Sequence, residues 1–193
     1  MGALAEVALR SGHAGLSELK GHQDSAQYLT FMLSGEIFSI PILPIREIIQ
    51  FGDLTEVPMM PPFIRGVINL RGKVVPVIDL NARFGRDLTG VARRTSIIII
   101  ETDDDKEAQV QAMGVMVDAV NEVVEIAAQE IEPPPSFGAR VRPDFIAGMA
   151  RHQGRFIVVL NLQQVLSVDE MSSLGKHLVG TMAANAQEPE HES

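Results

Sequence analysis

Hydrophobic and polar positions alternate along much of the chain, and the first clear alternation begins near residue 28. The apolar side chains of Leu29, Phe31 and Leu33 fall on every second position, which is the period of a strand with one buried face. A Ser-Gly pair at 34–35 predicts a tight turn, after which the alternation resumes. Short strands joined by turns rich in Gly and Pro are typical of small barrels or sandwiches. No alternation of strands with helical segments is present, so a parallel sheet is not expected.

A second series of strands begins near residue 96. Four consecutive isoleucines at 97–100 predict a strand that is buried on both faces, or an edge strand that another element covers. A charged stretch at 102–107 takes the place of the earlier Ser-Gly turn, and three prolines at 133–135 predict a stiff, extended connection. The two series therefore differ in their loops while they share the same order of strands.

The sequence contains an internal repeat. The segment 63–80 corresponds to 145–162, with each residue 82 positions before its counterpart, and 40–49 corresponds to 115–124 with a shift of 75. A repeat of this length indicates that one small β unit is built twice. Two similar bodies in tandem create a seam, and we expect partners to dock there.

The pattern divides the chain into an ordered middle and two tails. Residues 1–26 lack a sustained period and predict a mobile N-terminal tail. The ordered domain is expected at 27–169, with a first barrel at roughly 28–90 and a second at roughly 95–168. Residues 170–193 predict a short helix followed by a disordered acidic tail.

Composition and charge exclude several classes of protein. Hydrophobic residues make up 46% of the 193 residues, enough for a packed core. The formal net charge of −9 disfavours nucleic-acid binding and docking on anionic lipid. The absence of cysteine excludes disulfides and thiolate sites. No apolar run is long enough for a membrane span and no signal peptide is recognisable, so we expect a cytoplasmic protein without membrane insertion.

A search for catalytic and ligand-binding motifs predicts no enzyme, no metal and no cofactor. The Gly-Lys pairs at 72–73 and 175–176 are not followed by Ser or Thr, so neither is a phosphate-binding loop. The acidic run at 103–105 lacks the spacing of a calcium loop, and His152 stands alone in a turn. Glu47 and its repeat counterpart are interpreted as exposed carboxylates at strand ends rather than as an acid and base pair.

The internal repeat indicates that the fold does not require Arg71. It stands at the tip of a predicted hairpin beside Gly72. The repeat conserves this glycine as Gly154 but places Gln153 where Arg71 stands. The turn therefore requires glycine and not arginine. An arginine that the fold does not require is a candidate for contact with a partner, because arginine is enriched among residues that contribute most to binding.

A continuous motif runs through the first unit. It reads Ile-x-Glu-Ile at 45–48, Gly-Val-Ile-Asn-Leu-Arg-Gly at 66–72 and Pro-Val-Ile-Asp-Leu at 76–80. This motif resembles the CheW family of bacterial chemotaxis coupling proteins, over roughly 28–174. The resemblance implies an all-β fold with two tandem SH3-like β-barrels packed together and a few short helices. The N-terminal extension and Pro44 depart from the family pattern.

The resemblance also implies a function. Members of this family are non-catalytic adaptors that join the cytoplasmic helical hairpin of a chemoreceptor to the regulatory domain of a CheA-type histidine kinase. The chain is then expected in the cytoplasm, recruited to membrane-associated receptor arrays. By position, the resemblance implies receptor contact at Ile45, Glu47, Gly66, Arg71 and Val123, and places the strand with Ile97 and Ile99 near the kinase.

Other functions are compatible with the same pattern. A double barrel of this type could serve a paralogous pathway with a CheA-like kinase, such as twitching motility or another output. It could also bind a small ligand at the seam, where pockets commonly form. Nucleic-acid binding is a third possibility, which the acidic charge disfavours.

Overall fold

The computed structural model describes residues 25–104, 109–134 and 141–167. The predicted tails at 1–26 and 170–193 lie outside these ranges, except that Ser25 and Ala26 already belong to the first strand. Two short 3₁₀ turns stand at Ala128–Glu130 and Pro143–Phe145. The other elements are β1 (Ser25–Leu33), β2 (Glu36–Pro41), β3 (Ile45–Gln50), β4 (Ile64–Leu70), β5 (Lys73–Asp79), α1 (Leu80–Arg83), β6 (Ser96–Asp104), β7 (Gln109–Val117), β8 (Ala119–Ala127), β9 (Ile146–His152), β10 (Arg155–Leu160) and α2 (Leu162–Val165).

The strands form two five-stranded sheets that each draw on both repeats. One sheet has the order β8-β1-β2-β10-β9 and is called barrel A; the other has the order β3-β6-β7-β5-β4 and is called barrel B. Barrel A takes β1 and β2 from the first repeat and its other three strands from the second. Barrel B takes β6 and β7 from the second repeat and its other three strands from the first. The all-β prediction is confirmed. The predicted division into barrels at 28–90 and 95–168 does not match this assembly, because the strands are exchanged across it.

The exchange between the repeats is reciprocal. In barrel A, β2 runs parallel to β10 with Ser39 opposite Val159; in barrel B, β7 runs parallel to β5 with Gly114 opposite Val77. These two pairs are repeat counterparts, so a pseudo-twofold axis relates the barrels. Separating the barrels would break ladder hydrogen bonds in both sheets. We therefore expect them to unfold as one cooperative unit.

Each sheet closes into a barrel through a short segment, which follows β3 in barrel B and β8 in barrel A. In barrel B, Thr55 exchanges two backbone hydrogen bonds with Val67 of β4, at N···O distances of 2.9 and 2.8 Å. In barrel A, Glu132 and Met149 make the corresponding bridge. A closed barrel leaves no exposed sheet edge for unwanted pairing. The closure therefore explains how an all-β chain with short strands remains protected at its edges.

The repeated glycines at positions 66 and 148 permit this closure. Gly66 has φ +146, and a Cβ built on it would lie 2.2 Å from the carbonyl oxygen of Thr55. A Cβ on Gly148 would lie 2.4 Å from Ile131 and 2.8 Å from the backbone oxygen of Glu132. A glycine is needed wherever two backbones approach this closely. The repeat conserves Gly at both positions for this reason.

Three hydrophobic cores hold the structure together. Two lie inside the separate barrels, and the third contains residues of both sheets and lies between them. Ile97 and Ile99 point into barrel B, while Ile98 and Ile100 belong to the core between the barrels. The prediction of a strand buried on both faces is therefore confirmed. Aliphatic burial on both sides of β6 contributes about 1.5–3 kcal/mol for each such side chain.

A buried arginine lies at the pseudo-twofold axis. The guanidinium of Arg83 stands 4.9 Å from the ring centre of Phe63 and 4.7 Å from that of Phe145. Its Nε donates a hydrogen bond to the carbonyl oxygen of Val165 at 3.1 Å. The two phenylalanines are repeat counterparts, and so are Arg83 and Val165. One cation thus connects both units, with its charge over aromatic faces and its N–H group satisfied.

Asp79 anchors the long connection between the repeats. Its buried carboxylate caps α1, where it accepts hydrogen bonds from the backbone N–H groups of Asn81 and Ala82. It also accepts from the backbone N–H and the hydroxyl of Thr89, at 2.8 and 2.7 Å. The repeat counterpart, Asn161, caps α2 with one bond of 3.4 Å to the backbone N–H of Gln164. Asp79 therefore caps α1 and also fixes the connection between the repeats through Thr89.

Substituting Asp79 by alanine tests this difference. Asp79→Ala leaves several buried donors without an acceptor, and we expect the free energy of unfolding to fall by about 2–3 kcal/mol. Asn161→Ala at the equivalent position removes one cap, and we expect a loss of about 1 kcal/mol or less. Urea unfolding followed by circular dichroism measures both. Equal losses for the two variants would contradict the anchoring role of Asp79.

Candidate functional site

The hairpin between β4 and β5 brings Arg71 to Glu47. Arg71 and Gly72 both have positive φ, 52° and 84°, which is the backbone of a two-residue hairpin turn. Gln153 and Gly154 adopt the same conformation in barrel A, so the turn does not depend on arginine. The Arg71 side chain is 81% exposed and donates to Glu47 Oε2 at 3.2 Å. An exposed pair of this kind adds about 0–1 kcal/mol to stability, which leaves it available for recognition.

The two faces of strand β3 carry different kinds of side chains. A bulge between Ile45 and Glu47 sets Ile48 opposite Ile98, on the side of the core between the barrels. Ile45 packs partly buried against that core, and Ile48 remains 44% exposed. Glu47 is half-buried on the opposite face, where Arg71 reaches it. The strand therefore presents apolar side chains to one surface and a charged pair to another.

Val123 occupies in barrel A the position that Ile48 occupies in barrel B. It lies on β8 opposite Leu29, a member of the core between the barrels, and is 46% exposed. The two residues are repeat counterparts. Each stands across its strand pair from a residue of the core between the barrels, so each barrel has an exposed apolar side chain on the face of that core. The surface formed by Ile45, Ile48 and Val123 is called the seam surface below.

Gly66 and the two isoleucines predicted to bind partners are not available for direct contact. Gly66 is buried at the closure of barrel B, so it acts on this region by allowing Thr55 to cross it. Ile97 and Ile99 are each 1% exposed and pack inside barrel B. The expected kinase contact through these two side chains is therefore corrected, because both are almost fully buried and offer a partner no exposed side-chain surface.

An open cleft lies at one end of barrel B. It has a volume of about 950 Å³ and a floor that includes Ile99. Arg46 and Glu101 form an ion pair at 2.5 Å on one side, and Val74 on the rim is 72% exposed. The cleft is called the barrel B mouth, and its other lining residues are Glu47, Leu70, Arg71, Lys73, Val75, Pro76, Gln111 and Ala112.

The barrel B mouth combines an apolar floor with paired charges at its rim. Such a surface suits another protein, since paired charges fix orientation while aliphatic contacts contribute most of the affinity. Within the three described ranges, no group of His, Asp or Glu is arranged to hold a metal ion. Among those same residues no helix is long and apolar enough to span a membrane.

Several surface residues of these two sites were not predicted from the sequence. Ile48 looked like one more member of an apolar strand, and only the bulge at Ile45 shows which way it faces. The repeat offers a signal for Val74, because Val74 and its counterpart Phe156 are both apolar and both stand two residues after a turn glycine; the structure shows both exposed. The ion pair of Arg46 with Glu101 joins β3 to β6 and leaves no local pattern.

These features define a class of protein: a double β-barrel with apolar side chains exposed beside its seam and an open cleft lined by ion pairs in one barrel. Comparison with known proteins gives the family. Residues 27–170 match the model of the CheW-like domain, and the chain belongs to this family. The predicted family is thereby confirmed.

Two relatives and one solved structure illustrate the similarity. Chemotaxis protein CheW of Klebsiella aerogenes is 30% identical over 162 residues, covering 84% of this chain and 94% of the relative. Chemotaxis protein CheW of Bacillus subtilis is 30% identical over 145 residues, covering 75% and 89%. The crystal structure of the scaffolding protein TtCheW from Thermoanaerobacter tengcongensis has 34% identity and a TM-score of 0.66, covering 77% of this chain and 92% of that one. The predicted fold of two SH3-like barrels with a few short helices is confirmed.

Proposed function

We propose that this chain is a non-catalytic adaptor that couples chemoreceptor tips to a CheA-type histidine kinase in bacterial chemotaxis signalling. It acts in the cytoplasm and is recruited to membrane-associated receptor arrays. Relatives named as chemotaxis proteins and a neighbour named as a scaffolding protein support this role. The observation that carries the proposal is the position of β3, which borders both the seam surface, through Ile45 and Ile48, and the barrel B mouth, through Arg46 and Glu47. An adaptor needs two such surfaces in order to hold two partners at once.

The seam surface is the proposed receptor site. Ile45, Ile48 and Val123 offer aliphatic contacts to the apolar face of a helical hairpin, a common mode of recognition. The exposed guanidinium of Arg71, oriented by Glu47, supplies a directional polar contact at the edge of β3. A micromolar complex requires about 8 kcal/mol, and each buried aliphatic side chain contributes about 1.5–3 kcal/mol before association costs. A few such residues with one charge are therefore sufficient, and no cofactor is needed.

The part of the barrel B mouth around Val74 is the proposed kinase site, whereas the pair of Arg71 with Glu47, which lines the same mouth beside β3, belongs to the proposed receptor site. Val74 is the most exposed aliphatic side chain of β5, and Ile99 forms part of the floor below it. The predicted role of Ile97 and Ile99 thus becomes an indirect one, in which they support the rim from inside the barrel. The ion pair of Arg46 with Glu101 limits the orientations in which a partner can dock.

Val74→Asp tests the kinase site. A charge in the centre of an apolar contact must be desolvated, and we expect roughly tenfold weaker binding of the kinase regulatory domain. The matched control is Phe156→Asp, which places the same charge at the equivalent position of barrel A. Titration calorimetry with the regulatory domain and, separately, with a receptor cytoplasmic fragment measures both variants. Equal weakening by Val74→Asp and Phe156→Asp, or a loss confined to receptor binding, would place the kinase elsewhere.

A further inference from the structure

The connection between the two repeats, residues 85–95, carries a surface that the adaptor role does not use. Leu88 and Val91 are exposed there by 53% and 58%, and Arg93 and Arg94 follow them on the outside of the loop. In the part of the chain that the structure describes, neither arginine has an ion-pair partner. An apolar pair followed by two free cations is unusual in a chain of net charge −9. These four residues are called the connector patch.

The connector patch is held in a fixed shape. Thr89 is buried and tied to Asp79 through its N–H and hydroxyl groups, as described above. Thr95 is also buried, and its hydroxyl accepts from the backbone N–H of Ala92 at 2.8 Å. The carbonyl oxygen of Arg93 accepts from the side-chain amide of Gln50 at 3.1 Å. The loop therefore presents its exposed side chains without a further loss of backbone entropy on binding.

The end of the described chain and this loop are both in contact with α1 or its capping residue. Val165, two residues before the last described residue, accepts the hydrogen bond of Arg83 in α1. The same short helix is capped by Asp79, the anchor of the connector patch. The exit point and the patch are thus both attached to α1. The 26 residues at 168–193 follow, and a coiled chain of that length spans roughly 30 Å.

The sequence of this C-terminal segment complements the connector patch in its order of side chains. After Asp169 and Glu170, four large apolar residues between 174 and 182 precede Glu188, Glu190 and Glu192, as Leu88 and Val91 precede Arg93 and Arg94 in the loop. A tethered segment also competes at an effective concentration in the millimolar range, far above that of a free partner. The apolar residues are Leu174, Leu178, Val179 and Met182.

We propose that the connector patch binds the chain's own C-terminal segment, with the glutamates at 188–192 paired with Arg93 and Arg94. This contact does not depend on the identity of the receptor or the kinase. It covers Leu88 and Val91 when no other protein occupies them. It also explains why the most exposed basic residues of this loop follow its exposed apolar pair.

A nitroxide label near the C-terminus tests the contact directly. The chain has no cysteine, so Ser193→Cys provides a single labelling site in the full chain. Paramagnetic broadening of amide signals is expected at residues 88–94 and not at the hairpin 152–155. Arg93→Glu with Arg94→Glu should reduce this broadening roughly fivefold, since two exposed ion pairs are lost. Adding Glu188→Arg and Glu190→Arg to that variant should restore it.

The matched control is Arg151→Glu with Arg155→Glu, which changes the net charge equally on the opposite barrel and should leave the broadening intact. Unchanged amide positions elsewhere verify that each variant is folded. Absence of broadening at 88–94 in the parent chain overturns the proposal and leaves the patch to another protein. Broadening seen only when label and isotope are on different molecules also overturns it, because the occupant is then a second copy. The proposal is also overturned if adding Glu188→Arg and Glu190→Arg to the Arg93→Glu, Arg94→Glu variant does not restore the broadening.

Discussion

Gly66→Ala is expected to lower the free energy of unfolding by more than about 3 kcal/mol, or to prevent folding. The added Cβ would meet the backbone oxygen of Thr55 at 2.2 Å, at a backbone φ of +146 that residues other than glycine rarely adopt. A backbone atom cannot move aside as a flexible side chain does. The closing segment of barrel B must therefore detach from β4. Urea unfolding measured by circular dichroism gives the loss.

Gly154→Ala is the matched control for this substitution. Gly154 also has a positive φ, +76, but a Cβ built on it would meet no atom within 4 Å. It carries the backbone strain without the collision, so we expect a loss of about 1 kcal/mol. Gly148→Ala, at the closure of barrel A, should resemble Gly66→Ala. If Gly66→Ala were no more destabilising than Gly154→Ala, the closure would not explain the repeated glycines.

Arg71→Glu is expected to weaken binding of a receptor cytoplasmic fragment roughly thirtyfold, the effect of losing about 2 kcal/mol at a central contact. The free energy of unfolding should change by about 1 kcal/mol or less, because the side chain is exposed and its pairing with Glu47 is superficial. Titration calorimetry and thermal melts separate the two quantities. A large loss of stability with retained binding would assign Arg71 to the fold.

Two further variants distinguish contact from positioning. Arg155→Glu changes the same charge on the hairpin of barrel A and should leave receptor binding unchanged. Combining Arg71→Glu with Glu47→Arg restores an ion pair of opposite orientation. If the pair acts only by holding β3 to the hairpin, this exchange recovers binding. If Arg71 touches the receptor, as proposed, binding stays weak.

Much of the fold could be predicted because its signals are local. The alternation at 29–33, the turn glycines and the repeat are visible in the sequence, and together they give the strands and their duplication. The dispensability of Arg71 for its turn also followed from the repeat, and Gln153 indeed adopts the same conformation. The role of Arg71 and Glu47 in partner binding stays a prediction; the structure adds that the two side chains form one ion pair.

The exchange of strands could not be predicted in the same way. Alternation shows that a strand has a buried face, but it does not show which distant strand pairs with it. The parallel pairs that unite the repeats, Ser39 with Val159 and Val77 with Gly114, connect residues far apart in the chain. The kinase contact at Ile97 and Ile99 came from the family resemblance by position, and it disagreed with the burial on both faces that the run of four isoleucines predicted and that the structure shows.

We propose that the seam surface with Arg71 and the part of the barrel B mouth around Val74 hold two partners at the same time. The most direct test is sedimentation velocity of the chain with a receptor cytoplasmic fragment and a kinase regulatory domain, first separately and then together. We predict a complex of all three, from which Val74→Asp releases the regulatory domain and Arg71→Glu releases the receptor fragment. Mutually exclusive binding of the two partners, or binding of neither, would contradict the claim.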